Sequence, residues 1–537
     1  MRVNFVRLLN PFLKPFSPLS PLKATFFYSI AFCILYHVPL FHYAYTHSEP
    51  NTFSSYQILL AIGIGIISAN GMLFLVLSLI SRKILRFFVI VFALFNSIAL
   101  YFISTYHVFL NKSMMGNALN TNTNEALDFI SFKLFVFLVF LGIIPSYIFY
   151  KIKLKDSQRK HQVLALFALI LLFALNAFLN AKTWLWFDRH AKFVGGLSLP
   201  FAYSVNAFRA GALKFFAPKI EPLPPFKPTS KNTLVVLVIG ESARKHNYAL
   251  YGYERPTNPQ LNIRLSKEEI NVLEATSCAT YTTASLECIL DSSFEKSHFS
   301  TYENLPTYLN KHGIKVFWRS GNDGDKNVRV FSYKKRSELV KNCLECKDFA
   351  PYDEALLYNM PKLLNEHANE NVLLILHLAG SHGPRYDKKA PLNFRVFKPY
   401  CSSVDLANCS KESLINAYDN TILYNDFVLD KLISMLEKQA RPTLMLYVSD
   451  HGESLGEGAY YLHGAPKAIA PKEQYEIPFI LYTNESFKKE RKLFIPNAPL
   501  TQKSIFHSVL GAFGADKNPD DVYKPQLDLF KNKVAPQ

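Results

Sequence analysis

The chain is short of cysteine and of charge. It holds seven cysteines in 537 residues, and Asp, Glu, Lys and Arg together make up 19%. It has no internal repeat and no low-complexity tract, which excludes a solenoid or a compositionally disordered chain. It has one Cys-x-x-Cys pair, Cys343/Cys346, and no second pair to complete a four-cysteine zinc ribbon. No small-residue cleavage site follows the first apolar run, so that run is read as an anchor and not as a removed signal. The apolar runs carry no cluster of buried charges, which argues against a transporter.

What is there divides in two. Apolar residues make up 49%, yet the mean hydropathy is only +0.06, because two halves of opposite character average out. Phe, Leu, Ile and Val dominate from Ala24 to about Ala181, and after Pro222 the chain reads as a soluble domain. Five runs are long enough to cross a bilayer: Ala24–Tyr45, Tyr56–Ile80, Phe87–Leu110, Phe132–Tyr150 and Val163–Ala181. The first is interrupted by His37, Pro39 and His42.

Basic residues orient these spans. Arg2, Arg7, Lys14 and Lys23 precede the first span, Arg82, Lys83 and Arg86 join the second to the third, and Lys151 to Lys160 join the fourth to the fifth. The positive-inside tendency places the N-terminus in the cytoplasm and everything after Ala181 outside. Some of the excess of 59 basic over 42 acidic residues serves this topology, and the remainder favours anionic headgroups. A domain on that face is not expected to meet nucleic acid.

Cys33 lies within a span. The other six fall in the exported part as close pairs: Cys278/Cys288, Cys343/Cys346 and Cys401/Cys409. Local pairs in an exported domain predict three short-loop disulfides and an oxidising compartment, with a bacterial periplasm as the expected one. Residues 1–181 are thus read as a membrane domain and 182–228 as interfacial helices ending in a proline-rich linker. Residues 229–537 are read as the exported domain. There, strand-like runs (Leu234–Ile239, Lys315–Trp318, Val372–Leu378, Leu444–Val448, Pro478–Tyr482) alternate with helical ones (Leu305–Lys311, Ala355–Glu366, Leu414–Leu436, Ser504–Phe513). That alternation predicts an α/β domain with a mainly parallel sheet.

The densest chemistry follows the run Leu444 to Val448. Asp450 and His451 stand at its end with Glu453 just beyond, where open α/β sheets place their sites. Carboxylate and imidazole together suit zinc or manganese better than calcium. Glu241, at the tip of the first strand, is a candidate second ligand, although an acid there also complements a helix dipole. Between Cys278 and Cys288 lie Thr280, Thr282 and Thr283. A threonine beside a metal is a competent nucleophile at phosphorus, and all three are candidates on chemistry alone. His382 and His463 sit in glycine-flanked loops, Lys326 follows a strand, and His377 lies inside one and reads as core. Asn117, Thr121 and Glu125 have the i, i+4, i+8 spacing that shares one face of a helix.

With these motifs in order, the chain resembles the lipid A phosphoethanolamine transferases of the alkaline phosphatase-like superfamily, which include transferable colistin-resistance enzymes. The likeness is densest at Ile239–Arg244, Asn247–Pro259, Ser277–Cys288, Gly380–Pro384 and Ser449–Pro471. It implies a multi-span α-helical membrane domain followed by an α/β alkaline phosphatase-like, sulfatase-type domain. It implies that Glu241, Asp450 and His451 hold a catalytic zinc with Thr282 as the nucleophile, a second zinc being compatible with the family. His382, His463, Lys326 and, with a less defined role, Glu453 match positions that bind donor phosphate or that second metal. Asn117, Thr121 and Glu125 match an outward loop that helps bind the donor. Two departures stand out: Ala279 replaces a glycine common in the family, and Cys343/Cys346 enclose a shorter loop than usual.

The resemblance thus implies transfer of phosphoethanolamine from phosphatidylethanolamine to a lipid A phosphate by a monomer in the bacterial inner membrane, releasing diacylglycerol and lowering polymyxin sensitivity. The alternatives within the superfamily are a phosphoglycerol transferase, a phosphate- or sulfate-ester hydrolase, or transfer to a core sugar or a protein. Sulfatases use a modified cysteine or serine where this chain has Thr282, which counts against that branch.

Overall fold

The computed structural model describes residues 18–121, 123–156, 158–215, 220–292, 302–322, 328–495, 500–515 and 522–532. By contacts the chain forms two compact units. One is Met1–Leu119 with Ile130–Ala212, the other Asn120–Phe129 with Leu213–Gln537.

In the first unit, four helices among the described residues are long and apolar enough to cross a membrane: Phe53–Ile80, Arg82–Tyr106, Phe132–Lys151 and Arg159–Leu179. A fifth crossing exists only if two helices, Pro21–Tyr36 and Val38–Thr46, count as one span, because they meet at 59°. The first expected span is therefore broken rather than continuous. Pro39 at the start of the second helix has no N–H to give to the preceding turn, so the helix ends at His37. A proline also disturbs the third long helix, which runs as a π-helix over Leu138–Ile143 just before Pro145. The Leu141 carbonyl that Pro145 cannot serve accepts a hydrogen bond from Tyr36 Oη at 2.7 Å, so that carbonyl is not stranded in the apolar layer. Two further helices, Ala181–Leu197 and Phe201–Phe215, follow the last long one.

The second unit is built on one eight-stranded mixed sheet. Its strands are β1 (Leu234–Gly240), β2 (Ile270–Thr276), β3 (Lys315–Ser320), β4 (Ser332–Lys335), β5 (Val372–His377), β6 (Thr443–Ser449), β9 (Glu476–Thr483) and β11 (Leu500–Thr501). Two small pairs complete the set: β7 (Ser454–Leu455) with β8 (Tyr461–Leu462), and β10 (Arg491–Leu493) with β12 (Phe530–Asn532). The order across the sheet is β11-β2-β9-β6-β1-β5-β3-β4. Five of its seven pairings are parallel, and only β9 runs against its neighbours β6 and β2.

All of β1, β5 and β6 is buried, as expected of parallel strands covered on both faces. On one face Val235, Leu237 and Ile239 pack with Leu286, Leu305, Leu309, Ile505 and Val509 from three helices. On the other, Tyr447 Oη meets Tyr248 Oη at 2.8 Å, and Tyr248 donates to Asn425 of the long helix Lys411–Leu436.

Register then positions the chemistry. Gly240 of β1 pairs with Ser449 of β6, so the next residues, Glu241 and Asp450, leave the sheet side by side. Ile239 pairs with His377 of β5, bringing a third strand end to the same edge.

Candidate functional site

Glu241, Asp450 and His451 are buried, and one ligand atom from each lies within 4.8 Å of the others. His451 Nε2 is 3.3 Å from both Glu241 Oε1 and Asp450 Oδ2. The other ring nitrogen, Nδ1, is 2.8 Å from the Gly452 carbonyl and so carries the hydrogen. Unless a proton or a cation stands between them, the Nε2 lone pair faces two carboxylates. Asp450 Oδ2 is fully buried and accepts no hydrogen bond among the described residues. An orphaned acceptor, a second carboxylate and an imidazole lone pair converging on one point fit a divalent cation.

Electrostatics say the same. Burial pushes the Asp450 carboxyl well up, and the charge of Glu241 adds to it. Burial also works against ionised Glu241, but the hydrogen bond and charge of His451, helped by His382 and His463, leave it well below the carboxylate range. His451 is desolvated too, yet the two carboxylates hold its proton far above the usual range.

Thr282 Oγ1 faces this cluster, 3.2 Å from His451 Nε2 and 3.4 Å from each Glu241 oxygen. It is the first residue of the helix Thr282–Leu290, where the dipole favours negative charge on its oxygen. The Cys278–Cys288 disulfide is formed and ties the loop before this helix to the helix itself. Thr280 Oγ1 instead donates to the Ala465 carbonyl at 2.6 Å and fastens two loops together. Of these two threonines, only Thr282 has its hydroxyl against the acids.

A line of imidazoles leads away from the cluster. The His451 and His463 rings are 4.3 Å apart, and His463 and His382 are 5.1 Å apart. His463 Nδ1 is 3.3 Å from Glu453 Oε1. Burial and the neighbouring His451 lower the His463 pKa against the pull of Glu453. The structure thus brings together Glu241, Thr282, His382, Asp450, His451, Glu453 and His463. Lys326 lies outside the described residues.

The outward trio differs from expectation. Asn117 belongs to the helix Lys112–Asn120 and Glu125 to a second helix, Thr123–Asp128, with Thr121 in the break between them. The three therefore share no single helix face. Asn120 and Thr121 favour turns over helix interiors, which accounts for the end of the first helix. The other two disulfides, Cys343–Cys346 and Cys401–Cys409, are formed as expected.

Several contributors were not singled out from the sequence. Asn322 donates to Glu241 Oε2 at 2.9 Å and lies 3.1 Å from His377 Nε2. Its signal was available: it stands two residues beyond β3, at the sheet edge that also carries Glu241. Ser242 donates its hydroxyl to Glu241 Oε1 and its N–H to Asp450 Oδ1. Gln502 bridges the ligand loop and the nucleophile loop. It donates to the Ser449 and Asp450 carbonyls and accepts from the Cys278 N–H. Nothing local marks Gln502, since only the folded chain brings it near.

Comparison with known proteins agrees with this architecture. Residues 233–515 match the sulfatase family model, and residues 69–215 match the model described as phosphoethanolamine transferase EptA/EptB. The chain is 63% identical over 521 residues to phosphoethanolamine transferase EptA of Helicobacter pylori, covering 97% of this chain and 98% of that one. It is 30% identical to EptA of Escherichia coli over 79% of this chain and 82% of that one. The solved integral membrane lipooligosaccharide phosphoethanolamine transferase A of Neisseria meningitidis superimposes with a TM-score of 0.85. That match covers 96% of this chain and 99% of that chain at 25% identity.

Proposed function

We propose, from the premise that this chain belongs to the EptA family of phosphoethanolamine transferases, that it moves phosphoethanolamine from phosphatidylethanolamine to a lipid A phosphate through Thr282. The carrying observation is the Thr282 hydroxyl set against Glu241 and His451 at the edge of the sheet. Glu241, Asp450 and His451, with the Thr282 oxygen as fourth donor, would hold zinc. When bound, zinc would lower the pKa of that hydroxyl and offset negative charge at the donor phosphate.

The chain's own residues do the rest. The Thr282 oxygen attacks the donor phosphorus. The bond to the diacylglycerol oxygen breaks, and diacylglycerol departs with a proton. An oxygen of the acceptor phosphate then attacks the phosphothreonyl phosphorus, the bond to Thr282 Oγ1 breaks, and the proton given up by the acceptor phosphate restores the threonine hydroxyl. His382 and His463 face the reacting phosphate, and Glu453 orients His463 from behind. The helix N-terminus at Thr282 favours the oxyanion in both steps. Gly452, through its carbonyl, fixes the His451 tautomer.

The reaction belongs to a membrane protein with its catalytic domain in the periplasm and its N-terminus in the cytoplasm. The amine added to lipid A would weaken its attraction for polymyxin and other cationic peptides. The test is peptide mass spectrometry of enzyme mixed with phosphatidylethanolamine and quenched before acceptor is added. A phosphoethanolamine increment on the peptide containing Thr282, absent in Thr282→Ala, is expected. An increment on Thr280 or Thr283 would move the nucleophile.

A further inference from the structure

Glu241 does not end its strand in an ordinary turn. The next residue, Ser242, has φ of +55°, a left-handed conformation that serine rarely adopts. That conformation gives one residue two bonds to the proposed ligands. Its N–H reaches Asp450 Oδ1 at 3.0 Å, and its hydroxyl reaches Glu241 Oε1 at 2.9 Å. Something must hold the peptide there.

Tyr418, fully buried in the helix Lys411–Leu436, does so from the far side. Its hydroxyl donates to the Ser242 carbonyl at 2.7 Å and accepts from the Arg244 N–H at 2.9 Å, bracing the turn at both ends. The Arg244 guanidinium lies over the Tyr418 ring, 5.4 Å from its centre. It donates to the Glu453 carbonyl, the Glu457 carboxylate and Asn247 Oδ1. One phenol therefore ties the loop after β1 to a long helix, and through Arg244 to the loop after β6. Neither its hydroxyl nor its ring contacts Glu241, Asp450 or Thr282 in these interactions.

We infer that Tyr418 is a positioning residue, fixing the left-handed Ser242 peptide so that both carboxylates are pre-aimed at the metal and at Thr282. Losing the hydroxyl leaves the Ser242–Ala243 peptide held only through the Ala243 N–H on Ser449 Oγ. That loosens the left-handed Ser242 between its two ligand contacts, while the Ser381 N–H still holds the Glu241 carbonyl. This inference rests on the reading of Glu241 and Asp450 as zinc ligands, and its test separates the two.

Full-length wild type and Tyr418→Phe are compared in detergent for zinc affinity by chelator competition, for kcat and donor KM, and for Tm of the metal-free protein. Tyr418→Phe is expected to lose about 10–100-fold in zinc affinity, as removal of an outer partner does. Its kcat should fall while KM stays near wild type and the metal-free Tm drops by only the few degrees that the lost hydrogen bonds cost. Ser242→Ala, which deletes the bond to Glu241, should weaken zinc in the same direction. Wild-type zinc affinity and kcat in Tyr418→Phe would overturn the inference, as would a metal-free Tm that falls in step with activity. If Tyr418→Phe fails to accumulate, normal zinc affinity and kcat in Ser242→Ala would overturn it too. A wild type that neither holds zinc nor transfers phosphoethanolamine would instead sink the underlying reading.

Discussion

At the scale of single residues, metal affinity rests mainly on the three buried side chains Glu241, Asp450 and His451, whereas attack rests on Thr282 alone, so the two should separate in degree. Thr282→Ala removes the neutral fourth donor but leaves Glu241, Asp450 and His451 in place, so it should lose less zinc affinity than a carboxylate variant while losing at least about a thousand-fold in transfer. Asp450→Asn removes a donor, so its zinc affinity should fall by more than the ~10–100-fold typical of an outer partner. Zinc content by elemental analysis beside a transfer assay checks both. Equal zinc loss in the two variants would contradict the division of roles. The sequence made Asp450, His451 and Glu241 legible because strand ends mark themselves by a sharp change from apolar to ligand-type residues. It could not choose among Thr280, Thr282 and Thr283 by chemistry, because only the fold shows that Thr280 spends its hydroxyl on Ala465. Ser242, Tyr418 and Gln502 were hidden because their roles depend on long-range bonds.

At the scale of elements, five strand-like runs were readable because strands buried on both faces, four of them parallel and the fifth the antiparallel β9, are written as unbroken apolar sequence. β2 was not, since Asn271 and Glu274 interrupt it and its face is only partly buried. The break at His37 was signalled by Pro39, but its 59° bend was not.

Two predictions belong here. Gly380 has φ of +49°, and a Cβ added there would meet the Glu241 carbonyl oxygen at 2.5 Å. Gly380→Ala should therefore cost about 1–3 kcal/mol and disturb the ligand strand. Denaturant unfolding should show it, and an unchanged midpoint would contradict the tight approach.

Asp426 is buried in the helix Lys411–Leu436 and accepts the Gln260 and Leu261 N–H groups. Burial nonetheless raises its pKa from 3.8 to about 7. Between those values the folded state binds more protons than the unfolded one, so this group's contribution to stability declines as pH rises. From pH about 4 to 7 the wild type should lose Tm relative to Asp426→Asn. Parallel Tm profiles would refute the shift.

At the scale of the whole molecule, the chain joins an apolar helical unit to a sulfatase-type α/β unit, and the disulfides belong to the second. Removing the Cys278–Cys288 bond with paired serines should cost about 2–4 kcal/mol. It should also reduce transfer, because that bond tethers the helix beginning at Thr282. Loss of stability with full activity would mean that the helix is held elsewhere. The division into an apolar half and a soluble half was plain in composition, whereas the relation of Asn117 to Glu125 was not, because a helix break is decided by a few turn-forming residues.

The central claim is that the Thr282 hydroxyl carries phosphoethanolamine to lipid A. Lipid A masses from polymyxin-sensitive cells expressing wild type or Thr282→Ala test it most directly. A phosphoethanolamine increment with wild type and none with Thr282→Ala is the predicted result. No increment with either protein, when both are present in the membrane, would contradict lipid A as the acceptor.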